Sequence, residues 1–195
     1  YDLVGQYTPA AGIGAVTGLY TDLKKVSYID LEKPWWPSSI TETATVGDKL
    51  YFVTGDITPT LICNVQCMFV NTSLYESYQL AKEVDGRSIY DVVKDYDWTM
   101  ENMLKMALNK VSVEQGNYGL VMLNQVSGDS FFYGAGFTYV KNEGGIMTLS
   151  DDLSNSLLIN YFDQVKELFT GRYEDVAIVS LDPFLQNKAL FYNGN

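Results

Sequence analysis

The chain has 195 residues and a formal charge of −11, from 13 Lys and Arg against 24 Asp and Glu, which disfavours any role in reading nucleic-acid phosphates. Hydrophobic residues make up 47% and charged residues 19%, a globular balance with length enough for one large or two small domains. Histidine is absent, which excludes Ser-His and Cys-His nucleophiles, and two cysteines alone do not make an ordinary zinc site.

Tyr1 to Gly5 reads as a short buried strand, and Pro9, Gly12 and Gly14 mark a loop before a helix that runs to Leu23. The opening YDLVG, a strand with no preceding turn or cap, is expected of a fragment of a longer protein, and the chain does not open with a signal-peptide pattern. Prolines flank Trp35 and Trp36 in KPWWPSS, an exposed or cleft-lining turn. Leu50 to Thr54 alternates as a strand between Gly47-Asp48 and Gly55-Asp56, and a longer β-type run follows from Thr60 to Val70. On a straight strand Cys63 and Cys67 would stand about 13 Å apart, too far for a disulfide, so both are expected as small buried thiols.

Asn71 to Leu80 and Ser88 to Lys94 read as short helices separated by Asp85-Gly86. Met100, Met103, Leu104 and Ala107 follow helical spacing behind a capping Thr99. Tyr118 to Asn124 is a buried strand, followed by the glycine-bearing aromatic stretch SGDSFFYGAGF and a hairpin through Glu143-Gly144-Gly145. The strongest helix runs from Ser154 to Phe169, with Leu157, Leu158, Tyr161, Phe162, Val165, Leu168 and Phe169 in one stripe and Gly171 as its stop. Val176 to Ser180 and Lys188 to Tyr192 are further strands. Strands that alternate with helices in this way predict an α/β fold with a largely parallel sheet. No apolar run reaches the ~20 residues of a spanning helix.

Aromatic residues form 14% of the chain, 15 of them tyrosine, and many stand beside amides and carboxylates. A pyranose has an apolar face for stacking and a rim of hydroxyls that need donors and acceptors, so this pairing suits sugars, although core packing also consumes aromatics. Trp35 and Trp36 have two readings, ligand or lobe-interface contact and local packing. The carboxylate pairs Asp95 with Asp97 and Asp151 with Asp152 are the entries for glycoside hydrolysis, and equally serve as helix-start charges. GIGAVTG and YGAGF have neither Walker nor dinucleotide spacing.

Several stretches, in order, resemble the extracellular solute-binding proteins (family 1) of ABC importers. Gly18, Leu19, Asp22 and Leu23 fit the family's "G-L-L-x-D-L", and Gly47, Lys49 and Tyr51 fit "G-x-K-x-Y". Val70-Asn71-Thr72 stands at "Y-N-K", Trp98-Thr99 in "G-K-W-T-W-D", and NKALFYNGN resembles the "G-K-A-A-M" strand. The resemblance implies an α/β, type II periplasmic-binding-protein-like fold of two lobes with mixed or parallel sheets, incomplete at both ends. Its parts would be a partial N-lobe over 1–62, a crossing hinge strand over 63–71, a C-lobe over 72–184 and a return strand over 185–195. The implied function is capture of a mono- or oligosaccharide for ABC permease subunits, without catalysis, cofactor or metal. The implied location is the periplasm or the outer face of the cell membrane, reached through a lipid anchor outside this chain. Carried over by position, Gln6, Tyr7, Thr8 and Asn64 would face solute, as would Asn124, Gln125, Asp129, Phe132 and Tyr133 of the second lobe. The alternatives are a carbohydrate hydrolase or lyase using a carboxylate pair, and a sugar-binding surface module without a transporter.

Overall fold

A helix can begin at a proline, because the first-turn amide it removes would have no partner anyway. That rule governs the start of the chain in the computed structural model, which describes residues 2–109, 116–123, 125–143, 146–167 and 177–195. The described chain is α/β and divides into two units, Tyr1–Asn64 with Tyr139–Ser150, and Val65–Thr138 with Asp151–Asn195.

In the first unit α1 (Thr8–Val16) occupies most of the stretch expected as a loop, with its proline in the first turn and Ala10, Ala11, Ile13 and Ala15 supplying helix-compatible side chains. It ends early, at Gly18 with φ +74°, and the expected extension to Leu23 is replaced by a single 3-10 turn, Leu23–Lys25. Residues 2–7 have no strand partner among the described residues, so the expected opening strand does not form, and Leu3 and Val4 are exposed. Asp22 caps the 3-10 turn by accepting from the Lys24 amide at 3.2 Å, and it also accepts from the Leu50 amide at 3.2 Å. These amides, helped by Lys25 and Lys24, outweigh a burial effect of opposite sign and hold the Asp22 carboxyl below the usual range.

α2 (Ser38–Ala44) follows Pro37 and leads into a hairpin of β1 (Thr45–Val46) and β2 (Lys49–Leu50), which turns at Gly47 with φ +66°. The expected strand over Leu50 to Thr54 is thus reduced to its first residue. The β-type run from Thr60 is broken as well: α3 (Thr60–Cys63) starts directly after Pro59, and only β3 (Cys67–Val70) is extended. Cys63 and Cys67 therefore share no strand, and both are free and exposed rather than buried. The expected hairpin near residue 144 is present in its strands, β5 (Val140–Glu143) paired antiparallel with β6 (Ile146–Leu149), while Gly144 and Gly145 lie outside the described residues. Asn142 joins it to the rest of its unit by donating from Nδ2 to the Thr45 carbonyl at 3.0 Å. Residues 139–150, read from the sequence as part of a C-lobe, thus group with the first unit.

The second unit is built on a four-stranded sheet in the order β3-β8-β4-β7, where β4 is Tyr118–Met122, β7 is Ala177–Val179 and β8 is Ala189–Gly194. β4 runs parallel to β7 and β8, but β3 is antiparallel to β8, so the sheet is mixed rather than largely parallel. All six residues of β8 are buried, as a strand between two neighbours requires. Of the expected return strand over 185–195, Ala189–Gly194 belong by their pairing to this sheet.

The helices carry the signals read from the sequence. α4 (Thr72–Ser77) is capped by Asn71, which accepts from the Leu74 amide at 3.1 Å, and α5 (Ile89–Lys94) by Ser88, which accepts from the Asp91 amide at 3.2 Å. α6 (Met100–Asn109) has its cap at Thr99, whose hydroxyl accepts from the Asn102 amide at 3.2 Å. α7 (Gln125–Gly134) is a helix where the glycine-bearing aromatic stretch promised none. α8 (Ser156–Glu167) sends Leu158, Tyr161 and Val165 inward, but Leu157 and Phe162 of its expected stripe are exposed. Leu168, Phe169, Gly171 and Val176 lie outside the described residues. With α9 (Asp182–Leu185) ahead of β8, these elements enclose a core of Leu80, Val92, Met106, Leu120 and Phe191.

Candidate functional site

α5 ends in a left-handed residue, Tyr96 with φ +58°, whose amide donates to the Val93 carbonyl at 3.1 Å while the Asp97 amide donates to the Val92 carbonyl at 2.9 Å. This paired closure turns the chain at once into Trp98 and the cap of α6. Trp98 is held edge-on against Phe191 of β8, with ring centroids 5.4 Å apart and planes at 72°. Arg87 steadies the same corner, hydrogen-bonded to Asp97 and 3.7 Å from Asp95. The guanidinium is held above its usual range, first by that hydrogen bond to Asp97.

Trp98 opens onto a cavity of about 380 Å³ that lies wholly within the second unit. The start of α6 supplies Trp98, Thr99, Met100 and Met103, while Gln66, Cys67 and Met68 come from the entry to β3. Ser130 and Phe131 of α7, Tyr161 of α8 and Asn193 of β8 complete the wall. None of these side chains carries a formal charge.

The polar wall is tightly ordered. Asn193 is only 3% exposed, and its Nδ2 donates to the Ser127 carbonyl at 3.0 Å and to Ser130 Oγ at 2.8 Å. Ser130 Oγ in turn donates to the Ser127 carbonyl at 2.6 Å. Ser127 Oγ donates to Gln66 Oε1 at 3.4 Å. Tyr161 donates to the Phe131 carbonyl at 2.7 Å, and burial pushes its hydroxyl up to about 12.

The residues carried over by position stand elsewhere. Gln6 is exposed and donates to the Tyr20 hydroxyl, Tyr7 is exposed, and Thr8 is the exposed first residue of α1. Trp35 is 46% exposed and Trp36 half-buried; their turn is held through the backbone, the Asp56 amide donating to the Trp35 carbonyl at 3.2 Å. Asn64 is exposed. All six belong to the first unit. In the second unit Gln125 opens α7, Asp129 and Tyr133 are exposed, and Asn124 lies outside the described residues. Phe132, 2% exposed, is a core residue ringed by Tyr133, Phe137 and Phe162 at 5.3 to 6.1 Å, so it has no face left for solute.

None of the described ones lines the cavity, and for those of α7 the reason is that a helix shows alternate faces. Ser127, Ser130 with Phe131, and Gly134 fall at helical spacing on the inner side, whereas Asp129 and Tyr133 fall between them. Trp98 and Thr99 were recognisable as a helix start, and Asn193 as part of a strand, but nothing in the local pattern marked them as a wall of one cavity.

The carboxylate pairs have structural partners. Asp95 and Asp97 flank Arg87, and Asp152 accepts from both the amide and the hydroxyl of Thr138 at 3.0 Å each. Among the described residues no group of three or more His, Cys, Asp or Glu side chains is placed to hold a metal ion. None of the described helices is long and apolar enough to cross a membrane. Compared with known proteins, the chain matches no family model, and no curated protein or solved structure resembles it at a significant level.

Proposed function

We propose that the chain captures a neutral mono- or oligosaccharide for an ABC importer, within the type II periplasmic-binding fold that its motif order implies. Its partners are then permease subunits, reached at the outer face of the membrane or in the periplasm, and it performs no chemistry. The observation that carries this reading is the cavity of the second unit, which sets the Trp98 ring beside neutral hydrogen-bonding groups and, among the described residues, no charge.

An indole face and apolar Met100, Met103 and Phe131 match the hydrophobic side of a sugar ring. Amide and hydroxyl groups match its rim without the desolvation that a buried charge would demand. At about 380 Å³ the cavity is at the lower end of small-molecule sites, near the size of one or two rings.

Tryptophan fluorescence and calorimetry against a panel of mono- and oligosaccharides test the reading. Binding in the micromolar range is expected, about −8 kcal/mol. Trp98→Ala should weaken it by about tenfold or more, the loss of a stacked ring face. Flat titrations across the whole panel would overturn the assignment.

A further inference from the structure

We infer that the cavity is a sugar subsite that selects against anionic sugars, with Asn193 Oδ1 as its acceptor, Gln66 and Thr99 as its donors and Trp98 as its platform. The inference rests on the saccharide reading above and adds to it which ligands are refused and which atoms refuse them.

The orientation of Asn193 follows from its neighbours. The Ser127 carbonyl can only accept, and the hydroxyl hydrogen of Ser130 is already directed to that carbonyl, so Ser130 Oγ accepts as well. Both hydrogens of the Asn193 amide are thereby used, and the atom left over is Oδ1, which has no partner among the described residues. Asn193 is 97% buried as a residue and lines the cavity, and no buried side-chain oxygen among the described residues lacks a partner, so the unpaired Oδ1 keeps accessible surface where a donor can meet it. Ser130 Oγ likewise has only a lone pair to offer. The wall formed by β8 and α7 is therefore an acceptor wall.

The wall formed by the entry to β3 and the start of α6 donates. Gln66 accepts from Ser127 through Oε1, which leaves its Nε2 hydrogens unused among the described residues. Thr99 Oγ1 accepts the Asn102 amide, so its own hydrogen is available. A sugar hydroxyl satisfies both walls, since it donates to Asn193 and accepts from Gln66 or Thr99. A carboxylate or phosphate has only acceptors. Against Asn193 and Ser130 it meets lone pairs, and among the described residues no cation lines the cavity to compensate.

The two cysteines locate the ligand. Cys67 lines the cavity and Cys63 belongs to the other unit, and both are free and exposed. N-ethylmaleimide alkylation of the full chain, resolved by mass spectrometry, is measured with glucose, galactose, mannose or maltose, and separately with glucuronate and glucose 6-phosphate. Calorimetry accompanies each arm. A neutral sugar that binds should slow alkylation of Cys67 about fivefold or more at saturation, with Cys63 unchanged, and the anionic sugars should protect neither. Gln66→Leu should weaken that neutral sugar about tenfold, and Asn193→Leu more, wherever the variant melts as a folded protein. Binding that leaves Cys67 unprotected, or equal protection by glucuronate, overturns the subsite while the saccharide reading stands. Absence of binding by every neutral sugar overturns both.

Discussion

Tyr96 is 95% exposed at φ +58°, a conformation that glycine adopts freely and a bulky aromatic does not. Its side chain contributes little packing to offset that strain. Tyr96→Gly is expected to raise stability by about 1 kcal/mol, read as a higher urea midpoint with an unchanged slope. Gly55 presents the reverse case. A Cβ there would strike the Trp35 carbonyl, with Pro37 Cδ at 3.2 Å behind it, so the Trp35-Trp36 turn leaves no room for a methyl group. Gly55→Ala should lower stability by about 1–3 kcal/mol, and the Trp35 emission should report the disturbance.

At the scale of elements, Thr99 has two roles, cap of α6 and member of the cavity wall. Thr99→Ala should cost about 1 kcal/mol of stability and weaken sugar binding, whereas Thr99→Ser, which keeps the hydroxyl, should retain most of both. That helix was legible in the sequence because a cap and an apolar repeat coincide there, as were α4, α5 and the strands β4 and β8. α7 was not, because Gly128, Gly134 and consecutive aromatics imitate a loop and only the tertiary packing of Phe131 and Phe132 selects the helix. The run from Thr60 to Val70 misled through β-branched and apolar residues, while Pro59 favoured a helical first turn. The candidate site was less visible still. Asn193, Gln66 and Trp98 come from separate segments that only the sheet order assembles, and a polar residue within a strand sequence shows no sign of being buried.

Across the whole molecule the two units should answer pH from opposite ends. Tyr161 prefers its neutral form in the fold, with a folded value of about 12 against 10.0 for the free side chain. Its contribution is therefore complete below about pH 10 and is lost as pH rises through about 12. Tyr161→Phe should flatten that alkaline fall in melting temperature, at the loss of about 1 kcal/mol from the bond to Phe131. Asp22 lies below its ordinary 3.8, so its contribution is present above that value and disappears as pH drops through the lower folded value. Asp22→Asn should blunt the acid limb and leave the alkaline limb as it was.

Among the described residues β8 is also the only bridge between β3 and β4, pairing Cys67 with Gly194 on one flank and Tyr118 with Ala189 on the other. A protease nick between residues 180 and 188, followed by release of the tail, would strip out a keystone. β3 would become an orphan, β4 would keep β7 alone, and Asn193 and Phe191 would leave together, taking the cavity's acceptor and the prop behind Trp98 in a single event.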